Sequence, residues 1–188
     1  MAHIYIAFVD TPGIFAAMIR KYLKQRYIHV VISGDAMLED AYSVGRRNPA
    51  IPFFAGFEKE EKEKIFHAFP RAAYRICKLN CTFEQKQKIM ERLHRDYDRR
   101  FHIHYAVCSL PFLVMDIPFY LKNQYTCSSY LARLLFENGM PLFQKHFSLV
   151  TPRDFLEYKG METVFEGFLS EITKDRAKCL PESVSAYE

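Results

Sequence analysis

The chain contains no GxGxxG, GxxxxGKS/T, HExxH or GxSxG string, no CxxC pair, no internal repeat and no low-complexity tract. Those absences remove the commonest nucleotide-binding, zinc-protease and serine-hydrolase readings. Dense blocks of Lys and Arg are missing too. The 26 basic and 22 acidic residues leave a formal charge of +4 spread along the sequence, which gives no footprint for nucleic acid. No segment reaches the roughly 18 to 20 uninterrupted apolar residues needed to span a bilayer. "YAVCSLPFLVMDIPFYL" comes closest, but it carries Asp116 and two prolines, so no integral membrane segment is expected. The opening "MAHIYIAFVD" lacks a basic n-region and runs into Asp10 and Pro12, which reads as a strand rather than a signal segment. Cys77, Cys81, Cys108, Cys127 and Cys179 make an odd set, and a reduced, cytoplasmic setting is expected.

What is present fits one globular domain over residues 1–175 of the 188, followed by a polar, frayed tail at 176–188. After the first strand, "TPGIFAAMIRKYLKQR" reads as a short helix with Thr11 as N-cap and Pro12 at the first helical position. "YIHVVISGD" and "MLEDAYSVG" read as a hairpin turning at Gly34 to Ala36, which would set His29 and Asp40 on neighbouring strands. "RRNPAIPFFAGFEKE", with two prolines and no clean period, reads as an ordered apolar loop, and "EKEEKEKIFHAF" as a solvated helical face. "RAAYRICKLNC" alternates as a strand. "TFEQKQKIMERLHRDYDRR" is a helix capped by Thr82 and Gln85, with Phe83, Ile89, Met90, Leu93 and Tyr97 as its apolar stripe. "FHIHYAV" alternates again, and "SSYLARLLFENG" is a helix closed by Gly139 and Pro141. The fold class expected is α+β, an antiparallel sheet with helices packed on one side.

Chemistry centres on Cys127. It stands where a helix begins, after Thr126. Unpaired N–H groups and the macrodipole at such an end favour a thiolate, and the backbone N–H of Cys127 would face a developing oxyanion. Cysteines at buried starts of apolar helices are common, so a base is required before position means catalysis. His29, inside a β-branched strand where histidine has no packing advantage, is the best candidate, with Asp40 on the paired strand to hold its ring. Glu39 is the weaker orienter, because alternation sends it to the opposite face from Asp40. His102 and His104 with His94 could be drawn as a metal set. Two exposed strand histidines without an acidic or thiol ligand at useful spacing argue against it, and no metal is assigned. Cys77 and Cys81 share a face roughly 13 Å apart at about 3.3 Å per residue, too far for one metal or a disulfide.

"YIHVVISGD", "EDAYSVGRRNP" followed by "FFAGFEKE", "YTCSSYLARLLFENGM" and "KHFSLVTPRDF" together resemble the circularly permuted NlpC-type papain-like cysteine hydrolases, the YaeF/YiiX-like group. The order is the diagnostic feature. The histidine precedes the cysteine, the reverse of ordinary papain-like enzymes, and the matching pieces extend to about Phe155. The resemblance implies a permuted papain-like domain with Cys127 as nucleophile, His29 as general base and a polar residue on the strand after the histidine, here Asp40, as orienter. It implies hydrolysis of an amide, ester or thioester through an acyl-enzyme, with no cofactor. Tyr125, Arg46, Phe53 and Phe54 would line the groove for a small peptide, lipid-amide or other acyl substrate. The alternatives are a non-catalytic peptide- or lipid-binding module on the same fold and an acyltransferase of the same chemistry.

Overall fold

The computed structural model describes residues 1–11, 20, 25–48 and 51–172, with backbone alone at 48 and 51–54. Its strands are β1 (Ala2–Asp10), β2 (His29–Ser33), β3 (Ala41–Asn48), β4 (Ile51–Lys59), β5 (Ala73–Cys81), β6 (His104–Tyr105), β7 (Gln124–Tyr125) and β8 (Met161–Phe168). Among the described residues these form a single sheet in the order β7-β6-β4-β3-β2-β1-β5-β8. Every neighbouring pair is antiparallel except β6 and β7, which run parallel with His104 opposite Gln124. Helices bounded within the described residues are, in chain order, α1 (Lys62–Ala68), α2 (Phe83–Asp98), α3 (Leu110–Val114), α4 (Cys127–Glu137) and α5 (Pro152–Glu157). The chain is therefore α+β, with a mixed rather than purely antiparallel sheet.

β1 lies inside the sheet, paired with β2 on one side and with β5 along its whole length from Ala2–Cys81 to Asp10–Ala73. Both of its faces are covered, which is why it reads as an almost continuous apolar run. Ile4, Ile6 and Phe8 enter the larger core, under Ile89 and Leu93 of α2 and Leu131 and Leu135 of α4. Ala7 and Val9 enter a smaller core on the reverse face, closed by Ile65, Phe66 and Phe69 around α1 and by Leu169 and Ile172. The expectation of helices on one side is thus corrected. The charge run "EKEEKEKIFHAF" hides an apolar edge, and its Lys62 is itself buried, with Nζ donating to Met37 O at 2.6 Å and Glu39 Oε1 at 2.8 Å.

α2 begins where its sequence asks it to. Thr82 accepts from the Gln85 N–H at 3.0 Å, and the Gln85 side chain accepts from the Thr82 N–H at 2.9 Å. Its stripe is shorter than expected, because Phe83 faces solvent.

The segment "RRNPAIPFFAGFEKE" is not a loop but most of the β3–β4 hairpin, with Tyr42 opposite Lys59 and Gly45 opposite Gly56. Proline survives there because β4 is nearly an edge strand, meeting β6 only at Gly56 and His104. "FHIHYAV" contributes only the two residues of β6, its first part coiling instead as a 3-10 turn over Arg100–His102.

The β2–β3 connection spans residues 34–40 rather than a tight turn. The Asp35 carboxylate organises it by accepting from the Glu39 and Asp40 N–H groups at 3.0 to 3.1 Å. The expected helix after β1 and the tail at 176–188 lie outside the described residues, apart from Arg20. Among the described residues no helix is long and apolar enough to cross a membrane.

Candidate functional site

β7 leads directly into α4 and fixes where Cys127 stands. Thr126 is extended (φ −82°, ψ 168°) and forms a capping box, its Oγ1 accepting from the Ser129 N–H at 3.1 Å while Ser129 Oγ accepts from the Thr126 N–H at 2.8 Å. Ser128 Oγ donates to Val150 O at 2.6 Å and ties the same turn to the chain beyond the helix. Cys127 is therefore the first helical residue of a rigid, buried N-terminus, with 5% of its surface accessible. Its N–H belongs to the first turn, where helical geometry supplies no acceptor.

The Cys127 sulfur lies close enough to the His29 imidazole for each to act strongly on the other's charge, with the N–H groups of Val30 and Ser128 also near it. His29 is the first residue of β2, opposite Val9 of β1. Its ring lies over Gly45, where a Cβ would fall 2.9 Å from His29 Cε1, so a side chain at that position would displace the imidazole. His29 Nε2 stands 3.0 Å from Ser43 Oγ and 3.3 Å from Glu60 Oε1, and Ser43 Oγ donates to the same carboxylate oxygen. With Nε2 turned to Ser43 and Glu60, Nδ1 is the nitrogen left for the sulfur. The result is a continuous chain Cys127, His29, Ser43 and Glu60.

Electrostatics follow this geometry. Burial alone would push the His29 imidazolium down, but the charge and hydrogen bond of Cys127, and then those of Glu60, outweigh it and raise the pKa from 6.5 to about 10. Burial likewise opposes the thiolate, yet His29 and the two backbone N–H groups draw Cys127 below its ordinary value. Glu60 is also held low against its own burial, by His29, Ser43 and the charge of Arg46. The three groups favour a thiolate–imidazolium pair backed by a carboxylate. The phenol of Tyr105 on β6 is pushed strongly upward, first by burial and then by the charge of Cys127, so it stays a neutral O–H within electrostatic reach of the sulfur.

Asp40 does not meet His29. The pairing of Ser33 with Ala41 and the bond from the Gly34 N–H to Asp40 O at 3.3 Å put Asp40 at the far end of β2 from His29. Five residues of strand separate the two levels, roughly 16 Å at about 3.3 Å each. Its carboxylate is occupied by Tyr42 Oη at 2.8 Å, Lys59 Nζ at 3.1 Å and His94 Nε2 at 2.7 Å. Glu39 is held by Lys62. The carboxylate that meets His29 is Glu60, just past β4, where its N–H donates to Ala41 O at 2.8 Å. The sequence signal that could have found it is the β3–β4 hairpin, which sets Glu60 against Ala41, on the same face as Ser43, so that its side chain reaches Ser43 and His29.

Of the expected groove residues, Arg46 lies close enough to Glu60 to lower its pKa, while its guanidinium sits 5.2 Å from the Phe69 ring centre. Tyr125 turns away into an aromatic cluster, its hydroxyl 2.9 Å from Tyr120 Oη and accepting from Arg133 at 2.9 Å. The side chains of Phe53 and Phe54 lie outside the described residues. Among the described residues no three His, Cys, Asp or Glu side chains converge as metal ligands, and His94 is taken by Asp40.

Comparison of the chain with protein-family models, with curated proteins and with solved structures finds no match.

Proposed function

We propose that this protein is a cysteine hydrolase of the circularly permuted NlpC-type papain-like group, cleaving an amide or ester through an acyl-enzyme on Cys127. One observation carries the reading: a thiol at a helix N-terminus lies in close electrostatic contact with a histidine whose Nε2 meets Ser43 and Glu60. A merely structural buried cysteine needs neither the histidine nor the carboxylate behind it.

The chemistry follows from the pair. His29 holds the proton released by Cys127, and the thiolate attacks the acyl carbonyl. The oxyanion takes a hydrogen bond from the Cys127 N–H, with the Tyr105 hydroxyl as a second donor. His29⁺ then protonates the leaving nitrogen or oxygen. Neutral His29 next takes a proton from water, which attacks the thioester and frees the acid and the thiol. Glu60 steadies the imidazolium throughout and stays ionised, while Ser43 fixes the ring plane. No step calls on a metal or cofactor, and the reading keeps the cytoplasmic setting expected from the cysteine usage.

The test is iodoacetamide alkylation at each cysteine against pH, by peptide mapping, in wild type and His29→Ala. Exposed Cys108 serves as the ordinary thiol. Cys127 is expected to react well below pH 8 and to lose that advantage without His29. Hydrolysis of acyl-amide and acyl-ester libraries should vanish in Cys127→Ala while stability stays within about 2 kcal/mol. Alkylation of Cys127 with the pH profile of Cys108, indifferent to His29, would remove the nucleophile from the proposal.

A further inference from the structure

β2 begins with His29, and the strands on either side of it lead straight to arginines. On β1, Val9 stands opposite His29, and the next residue, Asp10, binds Arg20 through Oδ1 and Arg26 at 3.5 Å through Oδ2. On β3, the His29 ring lies over Gly45, and the next residue is Arg46. Arg20 also donates to Thr11 O at 3.1 Å and Arg46 to Thr11 Oγ1 at 3.3 Å, so three guanidiniums converge on residues 10 and 11. The bond from Arg46 reaches from β3 to the end of β1, past the strand that carries His29.

Charge is not balanced there. Arg20 and Arg26 share Asp10, and no acidic residue follows it in the chain until Asp35. Glu60, whose charge reaches Arg46, is engaged by His29 at 3.3 Å and by the Ser43 hydroxyl. Three cations thus face two carboxylates. The Cys127–His29 pair is neutral as a whole, so one positive charge is left over beside it.

Arg46 carries that surplus. It is half-buried, which opposes its charge, yet it forms no ion pair among the described residues. Its partners are the Thr11 hydroxyl and the ring of Phe69, whose centre lies 5.2 Å from the guanidinium carbon. A guanidinium has more N–H donors than one hydroxyl can use. Stacking on an aromatic ring leaves the edge of the fork open, in the geometry that receives both oxygens of a carboxylate. Taking a charge out of water without a counter-charge is costly, and the cost is recovered when a ligand brings the counter-charge.

We infer that Arg46 determines specificity, and that the substrate carries a carboxylate which Arg46 receives while the scissile carbonyl lies at Cys127. The inference rests on the hydrolase reading. A surplus of one charge matches a monoanion better than a phosphate dianion. Arg46 lies on the Glu60 side of His29, away from the nitrogen left for the sulfur. The carboxylate is therefore set apart from the scissile bond by a spacer and is no part of the reacting group.

The test uses iodoacetamides whose N-alkyl chain ends in a carboxylate, in a graded series of lengths, each matched with a carboxamide-ended twin. Labelling of Cys127 is read by peptide mapping, with exposed Cys108 as the control. At one length the carboxylate probe is expected to label Cys127 about tenfold faster than its twin, a preference weakened by salt and missing at Cys108. Arg46→Met should remove the preference. Arg46→Glu should transfer it to an ammonium-ended probe of the same length, a gain that a damaged fold cannot give. Fast, His29-dependent labelling of Cys127 with no carboxylate preference at any length overturns the inference and leaves the hydrolase reading standing. A preference that survives Arg46→Met, or one for a phosphonate-ended series over the carboxylates, overturns it too. Labelling of Cys127 no faster than that of Cys108 in every series removes the hydrolase reading and this inference with it.

Discussion

Replacing Glu60 with Gln tests the least obvious member of the site. The amide keeps the shape and can still accept from Ser43, but it removes the charge 3.3 Å from His29 Nε2. At that separation a unit charge pair is worth about 1 kcal/mol at the dielectric of water and about 5 kcal/mol at an effective dielectric of 20. Both side chains keep more than a fifth of their surface in solvent, which favours the lower part of that span. The whole rise of His29 from 6.5 to about 10 corresponds to about 5 kcal/mol, of which Cys127 supplies the larger part and Glu60 the smaller. A loss on the order of 1 to 2 kcal/mol is therefore expected, about 5- to 30-fold in the population of the ion pair.

The direction is fixed on both limbs of the pH profile. Without Glu60 the imidazolium is less favoured and the His29 pKa falls, so activity declines at a lower alkaline pH than in wild type. The thiolate then has a weaker partner, so the Cys127 pKa rises and alkylation begins at a higher acid-side pH. The active window narrows from both ends. Alkylation kinetics of Cys127 from acid to alkaline pH measure the two limbs in one experiment. An unchanged profile in Glu60→Gln, or a profile that moves instead in Asp40→Asn, refutes the assignment of Glu60 as orienter.

Gly45→Ala puts a methyl 2.9 Å from His29 Cε1, so turnover should fall at least about tenfold with a stability change under about 1 kcal/mol, read by kinetics and a thermal melt together. Tyr105→Phe removes the O–H proposed as the second oxyanion donor and should lower kcat by about 10- to 100-fold while leaving the alkylation rate of Cys127 near wild type. Asp96→Ala strands the buried Tyr130 hydroxyl, which donates to Asp96 at 2.9 Å, and frees Arg92 at 2.8 Å, so chemical denaturation should show a loss of about 2 to 4 kcal/mol.

That Cys127 and His29 would come together was readable because each left a local trace: a capping threonine before Cys127, and a histidine out of place in a β-branched strand. α2 announced itself through its capping box, and β1 through its apolar run. The orienter was unreadable for a geometric reason. Asp40 follows His29 closely in sequence, but antiparallel pairing that starts from Ser33 and Ala41 carries it away from the histidine. Glu60 lies within a run of acidic and basic residues that looks like solvated surface, and only the β3–β4 pairing, obscured by two prolines, returns it to His29. β8 was invisible because it is a half-exposed edge strand whose apolar residues do not alternate cleanly, and its register shifts against β5 between Ile76 and Cys77.

The pairing of Ala2 with Cys81 has a consequence in time. β1 cannot close against β5 until the chain has been made through residue 81, and β8 adds to that edge only after residue 161. Such long-range pairing is slow, on the order of milliseconds to seconds. Cys127 gains its histidine only when α4 docks on β2. Through synthesis and early folding it is an ordinary thiol, indistinguishable in reactivity from the other cysteines. On the hydrolase reading, heightened reactivity at Cys127 is then a clock mark of completed folding, and a nascent or misfolded chain carries no activated sulfur on which an acyl group could be trapped.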